Sequence, residues 1–395
     1  MLMTILAILA VDFPVFPRSL AKCETFGVSL MDLGVGSFVF SQGVVSAIPI
    51  LKDPKYLMSP YIPKFIRTVR KCMPILALGL VRVLLVKGTE YPEHVTEYGV
   101  HWNFFLTLAL IPVLQVLLHP LIMKLPISLI GVLLALAQQI ILSAGLQEFV
   151  INAPRTTLIS ANKEGIVSLP GYLAIHLLGL STGTYLLPPT PSYFRRRQKA
   201  ESRAKRRDSN AAVSEKEDRK SNAAAPLHRE DDKTAIELFS YAFIWWTLLG
   251  ACMLFDIGGG VSRRIVNLPY VVWVAAFNVS FLLGYLALDL AFFPSPLSHS
   301  VYSPTSKLKV HAEANANFLP QALQANAPTA PPLLEAINRN GLVIFLLSNV
   351  ATGLVNLSME TMYASTGTSM VVLALYAMGV CGFAWAVRER RLWKM

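Results

Sequence analysis

Charged residues are scarce in this chain of 395 residues. Only 15% of the residues are charged, whereas 54% are hydrophobic and the mean hydropathy is +0.50. A water-soluble domain of this composition would expose large apolar patches, which soluble proteins avoid. The composition therefore excludes an ordinary soluble enzyme. It predicts an all-α polytopic membrane protein, because helices satisfy every backbone hydrogen bond inside lipid.

Cysteine is also rare, and its placement excludes two further classes of protein. The four cysteines are scattered, with no CxxC spacing and no histidine partners nearby. Such cysteines are typical of helix packing. The sequence therefore predicts neither a disulfide framework nor a metal site.

Long apolar stretches are what the sequence has in abundance. A helix needs about 20 mostly apolar residues to cross about 30 Å of hydrocarbon. We predict about ten membrane helices, of which the first is only half as long as a span and indicates an N-terminally truncated chain. The stretches are 2–11, 29–50, 72–87, 102–118, 126–147, 166–187, 235–256, 265–292, 341–357 and 368–387.

Two polar segments divide the apolar stretches. Residues 188–234 are rich in charges of both signs, and residues 293–340 are rich in proline, alanine, asparagine and serine. Neither composition can bury a core, so we predict a disordered cytoplasmic loop and a cytoplasmic linker. The predicted organisation is a helical part carrying the site (1–187), the charged loop (188–234), a two-helix segment (235–292), the linker (293–340), and C-terminal helices with a basic tail (341–395).

The basic residues predict which loops face the cytoplasm. Lys and Arg are retained on the cytoplasmic side, and most of the 35 basic residues fall on alternate loops and in the C-terminal tail. The opposite, non-cytoplasmic face is then formed by residues 12–28, 88–101, 148–165, 257–264 and 358–367. The basic runs are expected to meet anionic membrane lipid, and no nucleic-acid partner is predicted.

Four segments carry a resemblance to a known family. AVDFPVFPRSLAKCETFG (10–27), VSLMDLGVGSFVFSQGVVSA (28–47), VKGTEYPEHVTEYGVHWNFF (86–105) and LSNVATGLVNLSMETMYAS (347–365) resemble the inositol acyltransferase family of glycosylphosphatidylinositol (GPI) anchor synthesis. The resemblance implies an enzyme of the endoplasmic reticulum membrane, here lacking its N-terminal helices. It implies transfer of a palmitoyl group from acyl-CoA, as co-substrate and with no other cofactor, to the inositol 2-hydroxyl of glucosaminyl-phosphatidylinositol.

The resemblance also implies a catalytic pair, Asp12 and Lys22, on either side of the motif that ends at Arg18. The residues themselves are compatible with this chemistry, because Asp12 is the first charge after an apolar run and two prolines stiffen the loop behind it. An aspartate with an ordinary pKa near 3.9 is a poor base for an alcohol. Two roles therefore stay open. Asp12 takes the hydroxyl proton while Lys22 stabilises the oxyanion, or Asp12 orients the hydroxyl while Lys22 exchanges the proton.

Further polar residues are candidates for binding the substrates. Arg82 is a charge within an apolar span, which is costly in lipid, and we expect it to pair with Asp32 or with a phosphate of a substrate. The glycines that follow Asp32 predict close helix packing or an acyl-chain groove. The complete set of substrate-binding candidates is Arg18, Asp32, Arg82, His94, Glu97, His101 and Asn356.

Two other functions fit a bundle of apolar helices. A lipid transporter or flippase would also carry a few charges among its helices, although the chain shows no internal repeat of the kind that transporters often have. A non-catalytic protein that binds GPI precursors is the third interpretation. The sequence favours the acyltransferase because its charges gather at one interface.

Overall fold

The computed structural model describes residues 2–23, 25–53, 56–87, 95–188, 190–196, 198, 231–292 and 331–392, and for residues 85–87 it describes only the backbone. Within these ranges every regular element is helical and there is no strand, so the all-α class is confirmed. Most of the charged loop and of the linker lies outside the described residues. His94 lies outside them as well.

Each of the ten apolar stretches forms a helix, but not every one is long enough to span a bilayer. Seven described segments have the length and hydropathy of membrane spans, so the number of ten is not confirmed. Among the others, α1 has 9 residues and α5 has 14. The helices are α1 Leu2–Ala10, α2 Leu30–Lys52, α3 Tyr61–Lys87, α4 Val95–Tyr98, α5 Phe104–Leu117, α6 His119–Ile122, α7 Ile127–Ile141, α8 Gln147–Asn152, α9 Leu158–Ala161, α10 Lys163–Leu186, α11 Asp231–Leu254, α12 Leu268–Phe292, α13 Pro332–Arg339, α14 Gly341–Ser358 and α15 Thr366–Ala386.

The first of two compact units combines the two ends of the chain. It contains residues 1–22, the segment 29–34 and the C-terminal part of the chain from α13 onward. The Tyr376 hydroxyl lies 3.2 Å from the Ser348 carbonyl oxygen and 3.4 Å from that of Ile5, so it links α15 to α14 and α1. The buried apolar core of this unit consists of Ile5, Leu9, Phe13, Ile337, Ile344, Tyr376, Val380 and Ala384.

The second unit, residues 23–28 and 35–310, is built around α10. Most of α10 is buried, and its backbone touches that of α2. A Cβ atom on Gly43 would lie 2.1 Å from the His176 carbonyl oxygen, and one on Gly179 would lie 2.1 Å from that of Phe40. Only glycine permits this approach. Close helix packing is therefore confirmed for Gly43.

A buried histidine is the first residue of the short helix α6 in the second unit. The His119 side chain is 1% exposed, and neither ring nitrogen has a hydrogen-bond partner among the described residues. Its ring packs edge-on to Tyr56 at a centroid distance of 5.7 Å, and the Lys64 ammonium lies over the same tyrosine ring. Burial, with a smaller contribution from Lys64, lowers the pKa of His119 from 6.5 to about 4.

This histidine makes the stability of the fold sensitive to acid. His119 binds a proton near pH 6.5 in the unfolded chain and only near pH 4 in the folded chain. Its contribution to the free energy of unfolding is therefore complete above pH 6.5 and is lost as the pH falls to 4. The loss amounts to at most about 3 kcal/mol. We expect the unfolding midpoint, measured in detergent, to fall less between pH 7.5 and pH 4.5 in His119→Phe than in wild type. Equal acid sensitivity in both proteins would contradict this prediction.

Candidate active site

The chain turns sharply just after α1. Backbone hydrogen bonds from Asp12 to the Leu9 oxygen (3.1 Å) and from Phe13 to the Ala10 oxygen (3.2 Å) close the last turn of the helix. Pro14 and Pro17 then prevent the helix from continuing, because proline fixes φ and lacks an N–H group. The Phe13 side chain is fully buried in the core of the first unit. The position of Asp12 is thereby fixed at the helix end.

Asp12 meets a residue from the other end of the sequence. The Asn356 amide nitrogen donates a hydrogen bond of 2.9 Å to Asp12 Oδ2, although the two residues are 344 positions apart. An ionised carboxylate can only accept, so the amide must present its N–H to it. Asn356 lies in the last turn of α14. The structure thus brings together a predicted catalytic residue and a predicted substrate-binding residue at the ends of two helices.

The other candidates in the first unit take part in loop contacts. Arg18 donates to the sulfur of Met362, and Lys22 is half-buried. Asp32 Oδ2 accepts hydrogen bonds from the Ser29 backbone nitrogen (2.9 Å) and hydroxyl (3.3 Å), which caps the start of α2. The same Ser29 hydroxyl lies 3.1 Å from the Leu20 oxygen, so its single hydrogen is shared between Asp32 and Leu20. Asp32 therefore stabilises the loop that contains Lys22.

The second unit contains a buried ionic cluster that links residues far apart in sequence. The Glu164 side chain is fully buried and accepts two hydrogen bonds from Arg155, of 2.6 and 2.9 Å. Arg264 Nη2 bonds to the same carboxylate at 2.9 Å. Glu97 and Arg263 form a second pair beside it, with 3.6 Å between charged atoms. We call these five residues the Glu164 cluster.

The remaining candidates lie in or near this cluster. Glu97 is the partner of Arg263, whose guanidinium lies 5.8 Å from the centre of the Tyr98 ring. Burial raises the pKa of Tyr98, and the positive charge of Arg263 opposes that rise. The His101 backbone nitrogen donates to Asn162 Oδ1 at 2.8 Å. Arg82 has an exposed side chain, and its predicted pairing with Asp32 or a phosphate stays a prediction.

Sequence reasoning missed four members of the Glu164 cluster. Arg155, Glu164, Arg263 and Arg264 all lie at the ends of apolar stretches, in segments predicted to share the non-cytoplasmic face. The signal that could have identified them was the presence of both positive and negative charges next to membrane spans. The structure shows that these charges form ion pairs in a largely buried site, which their wide separation in sequence concealed.

Long apolar helices with carboxylates fixed at their ends define a multi-pass membrane protein with polar sites where the helices end. The chain belongs to the GWT1 family, whose model matches residues 1–387. The family resemblance inferred from the sequence is thus confirmed.

Curated relatives support the same assignment. The chain is 44% identical to GPI-anchored wall transfer protein 1 of Cryptococcus neoformans var. grubii over 99% of its length. It is 37% identical to the proteins of that name from Yarrowia lipolytica and Saccharomyces cerevisiae, over 99% and 95% of its length. The chain spans 61% of the Cryptococcus protein, 71% of the Yarrowia protein and 69% of the Saccharomyces protein.

Proposed function

We propose that this protein is an O-acyltransferase of GPI-anchor biosynthesis. It transfers a palmitoyl group from acyl-CoA to the inositol 2-hydroxyl of glucosaminyl-phosphatidylinositol. Membership of the GWT1 family and the name of its relatives support a role connected with GPI anchors. The observation that carries the chemistry is the hydrogen bond between Asn356 and Asp12 at the ends of two helices.

The proposed reaction takes place in the endoplasmic reticulum membrane, on the lumenal side, with the C-terminus in the cytoplasm. The acyl chain and the lipid tails of the acceptor belong in hydrocarbon, whereas the inositol hydroxyl and the thioester meet where the headgroups begin. Asp12 follows the apolar helix α1, and Asn356 lies in the last turn of α14. A site at helix ends suits a reaction between groups that lie at the boundary of the bilayer.

The roles of the residues follow from their contacts. Asn356 occupies one lone pair of Asp12 Oδ2 and restricts the rotation of the carboxylate, which keeps further lone pairs for the acceptor hydroxyl. A base that is held in one orientation loses less entropy in the transition state. This contact orients Asp12 for either of its two open roles, and we propose that of the general base, with Lys22 as the group that stabilises the oxyanion.

The proposed step balances without a covalent enzyme intermediate. The inositol oxygen attacks the thioester carbonyl carbon while Asp12 accepts the hydroxyl proton. The Lys22 ammonium stabilises the tetrahedral oxyanion and keeps its own protons. Collapse of this intermediate breaks the carbon–sulfur bond, and the proton on Asp12 passes to the leaving thiolate of CoA. The carboxylate is then ready for another cycle.

The test uses purified full-length protein with radiolabelled palmitoyl-CoA and glucosaminyl-phosphatidylinositol. We expect label to appear in the glycolipid at a rate that depends on both substrates. The same protein in sealed vesicles is then assayed for movement of the unlabelled glycolipid between leaflets. Movement without acylation would instead identify a flippase, and binding without either reaction would identify a non-catalytic GPI-precursor protein.

Asn356 provides a further prediction. Replacing it by alanine removes the group that orients Asp12 and leaves the carboxylate in place, so we expect kcat for label transfer to fall by about tenfold or more while KM changes little. Asn349→Ala is the matched control, because Asn349 lies two turns earlier on α14 and, among the described residues, its side chain donates only to the Phe345 carbonyl oxygen. Equal kcat values for the two variants would contradict the positioning role.

A further inference from the structure

Helix α1 has few polar groups that could fix its position in the first unit. Its sequence, LMTILAILA, contains one polar residue, Thr4. Packing between apolar side chains tolerates sliding of one helix along another, whereas a polar contact between helices specifies one register. Among the described residues, two side-chain hydrogen bonds connect α1 and the turn after it to α14 and α15. Tyr376 meets Ile5, and Asn356 meets Asp12.

The first of these contacts belongs to a small network of buried hydroxyl groups. Tyr376 is only 8% exposed, and its hydroxyl lies 3.4 Å from the Ile5 carbonyl oxygen on α1. The same hydroxyl lies 3.2 Å from the Ser348 carbonyl oxygen and 3.2 Å from the Thr352 hydroxyl, both on α14. The Thr352 hydroxyl also donates to the Ser348 oxygen at 3.0 Å. One side chain of α15 therefore contacts both α1 and α14.

The two contacts have matching spacing on the two helices. Ser348, Thr352 and Asn356 recur every four residues, so they lie on one face of α14. At 1.5 Å of rise per residue, about 10 Å separates Ile5 from Asp12. By the same measure, Asn356 lies about 6 to 12 Å beyond the two residues of α14 in the hydroxyl network. The two helices therefore run in the same direction, and both contacts form in a single register.

We propose that Tyr376 is a positioning residue, because its hydroxyl holds α1 in the register in which Asn356 can orient Asp12. A slide of α1 by one residue would move it about 1.5 Å along α14, which is enough to break the hydrogen bond of 2.9 Å between Asn356 and Asp12. A misplacement of about 1 Å at a reacting group costs up to about 10²-fold in rate. The catalytic role of Tyr376 rests on the proposed acyl transfer, whereas its contact with α1 does not.

The first experiment replaces Tyr376 by phenylalanine, which removes only the hydroxyl. The carbonyl groups of Ile5 and Ser348 keep their helical partners and the Thr352 hydroxyl keeps its bond on α14, so no buried group loses its last hydrogen bond. We expect kcat for label transfer to fall by about fivefold while KM stays within about twofold of wild type. Tyr285→Phe is the matched control, because Tyr285 is exposed on α12 of the second unit, and its kcat should equal that of wild type.

A double-mutant cycle separates positioning from a general loss of stability. If Tyr376 acts through the contact between Asn356 and Asp12, its hydroxyl has no effect on kcat once that contact is gone. We therefore expect Tyr376→Phe combined with Asn356→Ala to have the kcat of Asn356→Ala alone, within about twofold. An equal fractional loss of kcat in both backgrounds would overturn the positioning role. An unchanged kcat in Tyr376→Phe alone would overturn it as well.

Hydrogen exchange tests the contact without any acyl transfer. Deuterium uptake by residues 5–13 is measured by mass spectrometry on the full-length protein in detergent. The amides of Asp12 and Phe13 bond to oxygens in the last turn of α1, and we expect them to exchange faster in Tyr376→Phe but not in Tyr285→Phe. Unchanged exchange in Tyr376→Phe would overturn the contact itself. Faster exchange together with a wild-type protein that transfers no label would support the contact and overturn the catalytic role along with the proposed function.

Discussion

Replacing Asp12 by asparagine is expected to reduce acyl transfer by about a thousandfold or more, which is the largest effect on activity that we predict. General base catalysis typically contributes 10²–10⁴-fold to a rate. Asparagine has nearly the shape of aspartate, and its amide oxygen can still accept the hydrogen bond from Asn356. It cannot accept a proton from the inositol hydroxyl at neutral pH. The measurement is the steady-state rate at which label enters the glycolipid.

The control for this variant is Asp256→Asn. Asp256 is exposed, lies at the end of α11 in a left-handed backbone conformation with φ of 48°, and tolerates asparagine well there. The substitution removes the same charge one residue before the segment 257–264, which is predicted to face the lumen, so we expect the rate of Asp256→Asn to equal that of wild type. A rate for Asp12→Asn above about a tenth of wild type would exclude Asp12 as the base.

The largest effect on stability is expected for Glu164→Gln. The substitution removes the charge that Arg155 and Arg264 share and leaves two arginines on a neutral amide in a site where Glu164 has no exposed surface. Removing one partner of a buried ion pair lowers the free energy of unfolding by about 3–5 kcal/mol. We therefore expect a much lower unfolding midpoint in detergent and a low yield of folded protein. Glu164→Asp should recover part of this loss.

Glu148→Gln serves as the matched control for stability. Glu148 is exposed on α8, near the same end of the second unit, and forms no ion pair with a described residue. Substitutions at such positions change stability by about 0.5 kcal/mol or less. If Glu164→Gln were as stable as Glu148→Gln, the cluster would not hold the loops around α10.

The sequence was sufficient to predict the fold class, because a stretch of apolar residues can remain in a bilayer only as a helix. The sequence predicted the lengths of the individual helices less well. Stretch 102–118 forms the 14-residue helix α5, because Asn103 caps its start and Leu118 ends it. Similarly, stretch 126–147 continues to Asn152 by way of a widened turn at Leu142–Leu146, in which Gly145 leaves the helical conformation (φ 113°) before α8 begins. Helix ends depend on caps and local turns that hydropathy does not record.

The candidate site was predictable only in part. Asp12 was recognisable from its place between an apolar run and two prolines, together with the family motif. Its contact with Asn356 could not be predicted, because the two residues are 344 positions apart in sequence. Only the packing of α1 against α14 and α15 brings them together. The Glu164 cluster was not predicted from the sequence for the same reason. Its paired residues are 100 positions apart for Glu164 and Arg264 and 166 apart for Glu97 and Arg263, and only the folded helices place them side by side.

The most direct test of the central claim, that the Asp12 carboxylate held by residue 356 acts in the chemical step, is the pH–rate profile of Asn356→Asp. This substitution places a second carboxylate against Asp12 Oδ2, and two adjacent carboxylates cannot both ionise easily. We predict that the acidic limb of the profile for label transfer moves to higher pH by about one unit or more. An active variant whose profile superimposes on that of wild type would contradict the account.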